Sequence, residues 1–76
     1  MKPLRDIIPG EIARLSRIGG ERSFRRRLME LGFLPGTQVR LVRRVRIGDL
    51  VELEVRGVHI SLRHSEADQM FFEQDR

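Results

Sequence analysis

"LVELEVRGVHISLR", residues 50–63, alternates apolar and polar side chains on either side of Arg56-Gly57. A period of two is the mark of a half-buried strand. Val51, Leu53 and Val55 share one face of the first run, and Val58, Ile60 and Leu62 share one face of the second. With Arg56-Gly57 as a two-residue turn, Val55 meets Val58, Leu53 meets Ile60 and Val51 meets Leu62. All three pairs are apolar, and a slip of one residue would turn a whole face outward, so the register is pinned. On the other face Glu54 opposes His59, and Glu52 opposes Ser61. Asn-Gly is the more usual turn pair, but Gly57 supplies the positive φ such a turn requires. The stretch is a β-hairpin.

Working outward, "QVRLVRRV" (38–45) continues the sheet through Val39 and Leu41, although Val42 and Val45 blur the alternation. Upstream, "ERSFRRRLMELG" (21–32) sets Phe24, Leu28 and Leu31 at i, i+4 and i+7, one face of a helix. Ser23 is its expected N-cap. Gly32 suits the left-handed position that ends a helix, which makes Phe33 the residue that packs back on Leu28. Pro35-Gly36 then turns the chain into the next strand. "IIPGEIARLSRIGG" (7–20) holds a further strand on Ile12, Ala13, Leu15 and Ile18, between two pairs of turn residues. Downstream, Ser65–Asp68 reads as a capped helical turn and "MFFE" (70–73) as a last strand. The sum is a mainly β fold with one α-helix and one short helical turn. About five strands form a small closed barrel, the helix inserted after the first, in a single domain over 1–76. Closure would hide strand edges that otherwise invite aggregation.

Composition bounds the function. Seventy-six residues make one domain with a thin core. The absence of cysteine excludes disulfides, iron–sulfur ligation and thiolate zinc sites. No apolar run approaches the ~18 residues of a membrane span, and no signal-peptide core is present, so a soluble protein without membrane insertion is expected, and the lack of cysteine is compatible with a cytoplasmic location. Lys and Arg total 15 against 11 Asp and Glu, a net charge of +4, and Lys2 is the only lysine. Arginine forks suit carboxylates and phosphates. The acidic residues are interspersed, however, and four Phe without Trp or Tyr offer few stacking platforms. Nucleic acid is therefore not the expected partner.

No phosphate loop, dinucleotide fingerprint or paired nucleophile and base occurs, so neither catalysis nor a required cofactor is expected. His59 and His64 are the only imidazoles. The first faces outward on the hairpin and the second ends its strand, so they do not form a helical i, i+4 metal pair. Weak divalent metal binding would have to draw on them, or on His64 with Glu66 and Asp68. Helix capping explains the latter residues without a metal. Arg25 and Arg26 project from the helix away from its core stripe, beside Arg22 and Arg27, as a solvated face or a contact for an acidic protein. Met29 lies one step off the stripe and Leu34 follows the helix stop. With Phe33 they suggest a protein-contact patch, supported by Leu28 beneath.

These residues carry a resemblance. "RRRLMELGFLPGTQVRLVRR" (25–44) followed by "IGDLVELEVRGVHISLRHSEADQM" (47–70) resembles the FeoA family of small ferrous-iron-transport proteins. The correspondence runs from Pro9-Gly10 through Phe72. It includes Arg27-Leu28, Leu31-Gly32, Pro35-Gly36, Gly48-Asp49, Arg56-Gly57 and Leu62-Arg63 before Glu66-Ala67. Leu50 departs from the family, whose members often place Pro there. The resemblance implies an SH3-like barrel and a cytoplasmic accessory protein acting with FeoB, the ferrous iron transporter that carries a GTP-binding domain. It implies no catalytic residues. Docking is expected through Arg25, Arg26, Leu28, Met29, Phe33 and Leu34, with a second copy of the chain as a further partner. Two alternatives stand beside it: a small basic barrel that binds nucleic acid, and a metal-responsive module like the C-terminal domain of DtxR-type repressors. No helix-turn-helix precedes the barrel, which favours a free-standing module.

Overall fold

In the computed structural model, which describes residues 1–74, the hairpin forms as its alternation dictates. Leu50–Val55 pairs with Val58–Arg63 in the expected register, Val55 against Val58, Leu53 against Ile60 and Val51 against Leu62. Arg56 (φ 53°) and Gly57 (φ 78°) both take left-handed backbone, the geometry of a turn whose twist matches its strands. Val51, Leu53, Val55 and Leu62 are buried, but Val58 is 56% exposed and Ile60 only half-buried. The second strand lies at a sheet edge with one neighbour to cover it, so not every inward pair is shielded.

Among the described residues six strands make one sheet: β1 (Lys2–Pro3), β2 (Ile12–Ile18), β3 (Gln38–Val45), β4 (Leu50–Val55), β5 (Val58–Arg63) and β6 (Met70–Glu73). All pairings are antiparallel, in the order β1-β6-β2-β3-β4-β5. The extra strand is the two-residue β1, which is followed by a 3-10 turn at Leu4–Asp6, so the helix comes after the second strand. Among the described residues no ladder joins β5 to β1, and the barrel is therefore SH3-like but not closed by hydrogen bonds. It is held by its contents. Leu4, Ile7, Leu15, Leu41, Leu53, Met70 and Phe72 meet in one buried cluster drawn from the 3-10 segment and the strands β2, β3, β4 and β6.

Two bulges explain the blurred alternations. The register of β2 against β6 shifts between Leu15 and Arg17, which lets Ala13, Leu15 and Ile18 all face inward. That of β3 against β4 shifts between Leu41 and Arg43, with Val42 as the extra residue.

Helix α1 (Arg22–Glu30) starts at Glu21 as N-cap, two residues earlier than Ser23, and the Glu21 side chain makes no capping bond. Leu31 is its C-cap and is 45% exposed, off the core stripe that the i+7 spacing assigned to it. Its backbone is still helical (φ −78°, ψ −8°) and its N–H still bonds the Arg27 carbonyl, so the period gives its direction but not cover by the core. Gly32 (φ 109°) donates its N–H to the Met29 carbonyl, and the Phe33 N–H donates to that of Leu28, each at 3.0 Å. These are the two bonds of a Schellman stop, and Phe33 and Leu28 are both wholly buried. A second helix, α2 (His64–Ala67), has Arg63 and not Ser65 as its N-cap, the Arg63 backbone N–H donating to Glu66 Oε1 at 3.2 Å, and Asp68 as its C-cap.

Candidate functional site

Helix α1 buries only Leu28 fully, with Phe24 packed against the core from its edge. Its remaining surface divides into two flanks. Arg22, Arg25, Arg26 and Met29 recur at i, i+3, i+4 and i+7 on one side, where they line a shallow groove of about 250 Å³. On the other side Ser23, Phe24 and Arg27 line a second hollow. Arg27 lies over the Phe24 ring at 5.8 Å and pairs with Glu66, which ties this flank to α2.

The six residues expected to touch a partner are thus separated by the fold. Arg25, Arg26 and Met29 share the first flank, where Met29 is 41% exposed, and Leu34 is 38% exposed in the turn beyond. Leu28 and Phe33 lie underneath with no exposed surface, so they hold the patch in place and do not form it. Arg22 joins Arg25, Arg26 and Met29 on the first flank, as its spacing to Arg26 and Met29 requires. Leu31 is the exposed residue that the spacing alone misplaced, because a helical period gives direction and not cover.

The charges sort in the same way. Arg40 meets Glu54 at 2.7 Å, Arg43 meets Glu52 at 2.9 Å and Arg5 meets Asp68 at 2.7 Å. Hydrogen bonds from these arginines hold the carboxyls of Glu54, Glu52 and Asp68 below their ordinary range, and Arg27 does the same to Glu66. Among the described residues no carboxylate pairs with Arg22, Arg25 or Arg26. Arg25 donates only a long bond, 3.4 Å, to the Gly20 carbonyl.

His59 stands outside on β5, its Nε2 3.3 Å from Glu54 Oε2. His64 is largely enclosed. Arg44 Nε donates to its Nε2 at 3.1 Å, and its Nδ1 lies 3.5 Å from Asp68 Oδ1. Arg44 also donates to the Leu4 and Ile7 carbonyls at 2.8 and 2.9 Å, so His64 belongs to a clasp that straps the N-terminal segment to the sheet. Glu66 is engaged by Arg27 and by the Arg63 N–H. Among the described residues no group of three or more His, Cys, Asp or Glu side chains comes together to hold a metal ion, so His64, Glu66 and Asp68 are not assembled as a ligand set. No helix among the described residues is long and apolar enough to cross a membrane.

The family model described as the FeoA domain matches residues 2–74. Among solved structures, the FeoA protein from Chlorobium tepidum is 30% identical, with 97% of this chain and 70% of that one covered and a TM-score of 0.86. The iron(II) transport protein A from Clostridium thermocellum is 31% identical, covering 97% of this chain and 45% of that one, with a TM-score of 0.85. The repressor ScaR with bound zinc shares the fold at 23% identity and a TM-score of 0.86, 99% of this chain overlying 37% of that one. No curated protein matches the chain.

Proposed function

Because the chain belongs to the FeoA domain family, involved in iron(II) transport, we propose that it is a non-enzymatic, cytoplasmic accessory of ferrous iron uptake. It docks on the cytoplasmic part of a FeoB-type transporter, whose activity it regulates or whose assembly it assists. The observation that carries this reading is the exposure of Met29, Leu31 and Leu34 around the end of a helix that the core needs only through Leu28 and Phe24. Apolar side chains gathered at one helix end, rimmed by Arg25 and Arg26, are what a protein contact requires: an apolar centre and a polar border. The barrel itself contributes rigidity. Phe33, locked in the core two residues from Leu31, fixes the height at which this end stands above the sheet.

The test is binding of the purified chain to the soluble GTP-binding domain of the transporter. Met29→Glu and Leu34→Glu, each shown to be folded by circular dichroism, are expected to weaken it by about tenfold, the loss of a typical interface anchor. Ile47→Glu, in the exposed loop before β4, serves as the control and is expected to bind like wild type. Undiminished binding by both helix-end variants overturns the assignment of this face.

A further inference from the structure

We propose that the flank of α1 formed by Arg22, Arg25, Arg26 and Met29 receives an acidic helical segment of a protein partner. The proposal rests on the docking reading above and names the chemistry that the docked partner must present.

Charge complementarity carries it. Four arginines elsewhere, Arg5, Arg27, Arg40 and Arg43, have their charges met by Asp68, Glu66, Glu54 and Glu52. The three on this flank meet no carboxylate among the described residues, although Glu21 and Glu30 stand at either end of the same helix. Their placement also runs against helix electrostatics. The first turn of α1 carries no acidic residue, and Arg22 and Arg25 lie towards its positive end, where a cation is disfavoured. Arg46, Arg56 and Arg63 also form no salt bridge among the described residues, but only on this flank do three such arginines share one helix face, where the long bond of Arg25 to the Gly20 carbonyl is their one internal hydrogen bond. A local rule broken without internal compensation points to an external partner.

The spacing sets the form of that partner. From Arg22 to Met29 the flank spans about 10 Å, two helical turns. Carboxylates at i and i+3 or i+4 of a facing helix repeat at the same interval and can each take a guanidinium fork in bidentate fashion. Met29, at the end of the arginine row, adapts to an apolar side chain of the same segment. Phosphates of a nucleic acid could satisfy the arginines but would leave Met29 facing a charged backbone, which is why a protein segment fits better.

Fluorescence anisotropy with three probes tests this: a labelled helical peptide with Glu at i, i+3 and i+4 around one Leu, a labelled oligothymidine, and the soluble domain of the transporter. The peptide is expected to bind about tenfold more weakly when salt rises from about 20 mM to about 200 mM, since screening shortens the reach of the charges. Arg22→Glu/Arg26→Glu is expected to lose binding by more than about tenfold and Arg22→Lys/Arg26→Lys by less, with amide NMR shifts confined to residues 22–29. Peptide binding on this flank without binding of the transporter domain would uphold the proposal and remove the transporter as partner. Transporter binding that ignores Arg22→Glu/Arg26→Glu would overturn the proposal and leave docking intact. Tighter binding of oligothymidine than of the peptide, or no peptide binding at low salt, also overturns it.

Discussion

The hairpin of β4 and β5 and the helix α1 lie together in one small fold and use their residues in opposite ways. The hairpin turns Val51, Leu53, Val55 and Leu62 into the core and matches Glu52 and Glu54 to arginines of β3. The helix commits Leu28, leans Phe24 on the core, and leaves Met29 exposed and three arginines of one flank without a carboxylate among the described residues. One element builds the fold; the other is held up by it. Both are anchored by residues that never reach the surface, and the anchors are where the contrast can be broken. Phe33→Ala removes a wholly buried ring and is expected to cost about 3–5 kcal/mol, much of the stability of a domain this small, as read by urea unfolding. Leu53→Ala is expected to cost about 2–5 kcal/mol. If Phe33→Ala cost well under a kilocalorie, the helix end would be no part of the core, and the division drawn here would fail.

The helix stop is the next most sensitive point. Gly32 holds φ at 109°, so Gly32→Ala is expected to cost about 1–2 kcal/mol by denaturation, although a Cβ would meet only Val55 Cγ1, at 3.8 Å. Space is not the difficulty; the backbone is. Acid should then act on the sheet and on α2 more than on the free flank. The carboxyls of Glu52, Glu54, Glu66 and Asp68 are lowered by their arginines on folding, so they stabilise the fold above the unfolded carboxylate value of about 4. That contribution is lost as pH falls through their lower folded values. Thermal melts across this range are expected to show the loss, and to show less of it in Glu52→Gln/Glu54→Gln. Smallest of all is Met29→Glu, expected to move stability by no more than about 0.5 kcal/mol while impairing docking. A Met29→Glu chain that unfolds would mean that this side chain serves the core.

How far the sequence could be read follows the same division. Alternation over 50–63 specifies the hairpin register completely because strand side chains have a period of two, and any slip exposes a whole face. The helix and its Gly32 stop were equally legible, since a left-handed glycine after an apolar helical stripe has a local cause. The failures share another cause. Ser23 and Ser65 suit caps by residue type, but the chain starts its helices two residues earlier, at Glu21 and Arg63, where its course out of β2 and β5 brings it. Leu31 fits the stripe by spacing and keeps helical backbone, yet it is exposed, because a period gives direction and not the neighbours that would cover it. His64 looked free to bind a metal and is instead clasped by Arg44 from β3 and by Asp68, partners twenty residues away and four residues away.

By itself, then, the sequence determined the periodic features: the strands, the hairpin, the helix and its stop, because each rests on spacings within a few residues. Only the tertiary structure decided which apolar groups at the helix end are exposed and which arginines find carboxylates. It also decided that the barrel is left open between β1 and β5. Those outcomes depend on what other strands bring alongside, and a neighbour's arrival in space is written in no local pattern of the chain.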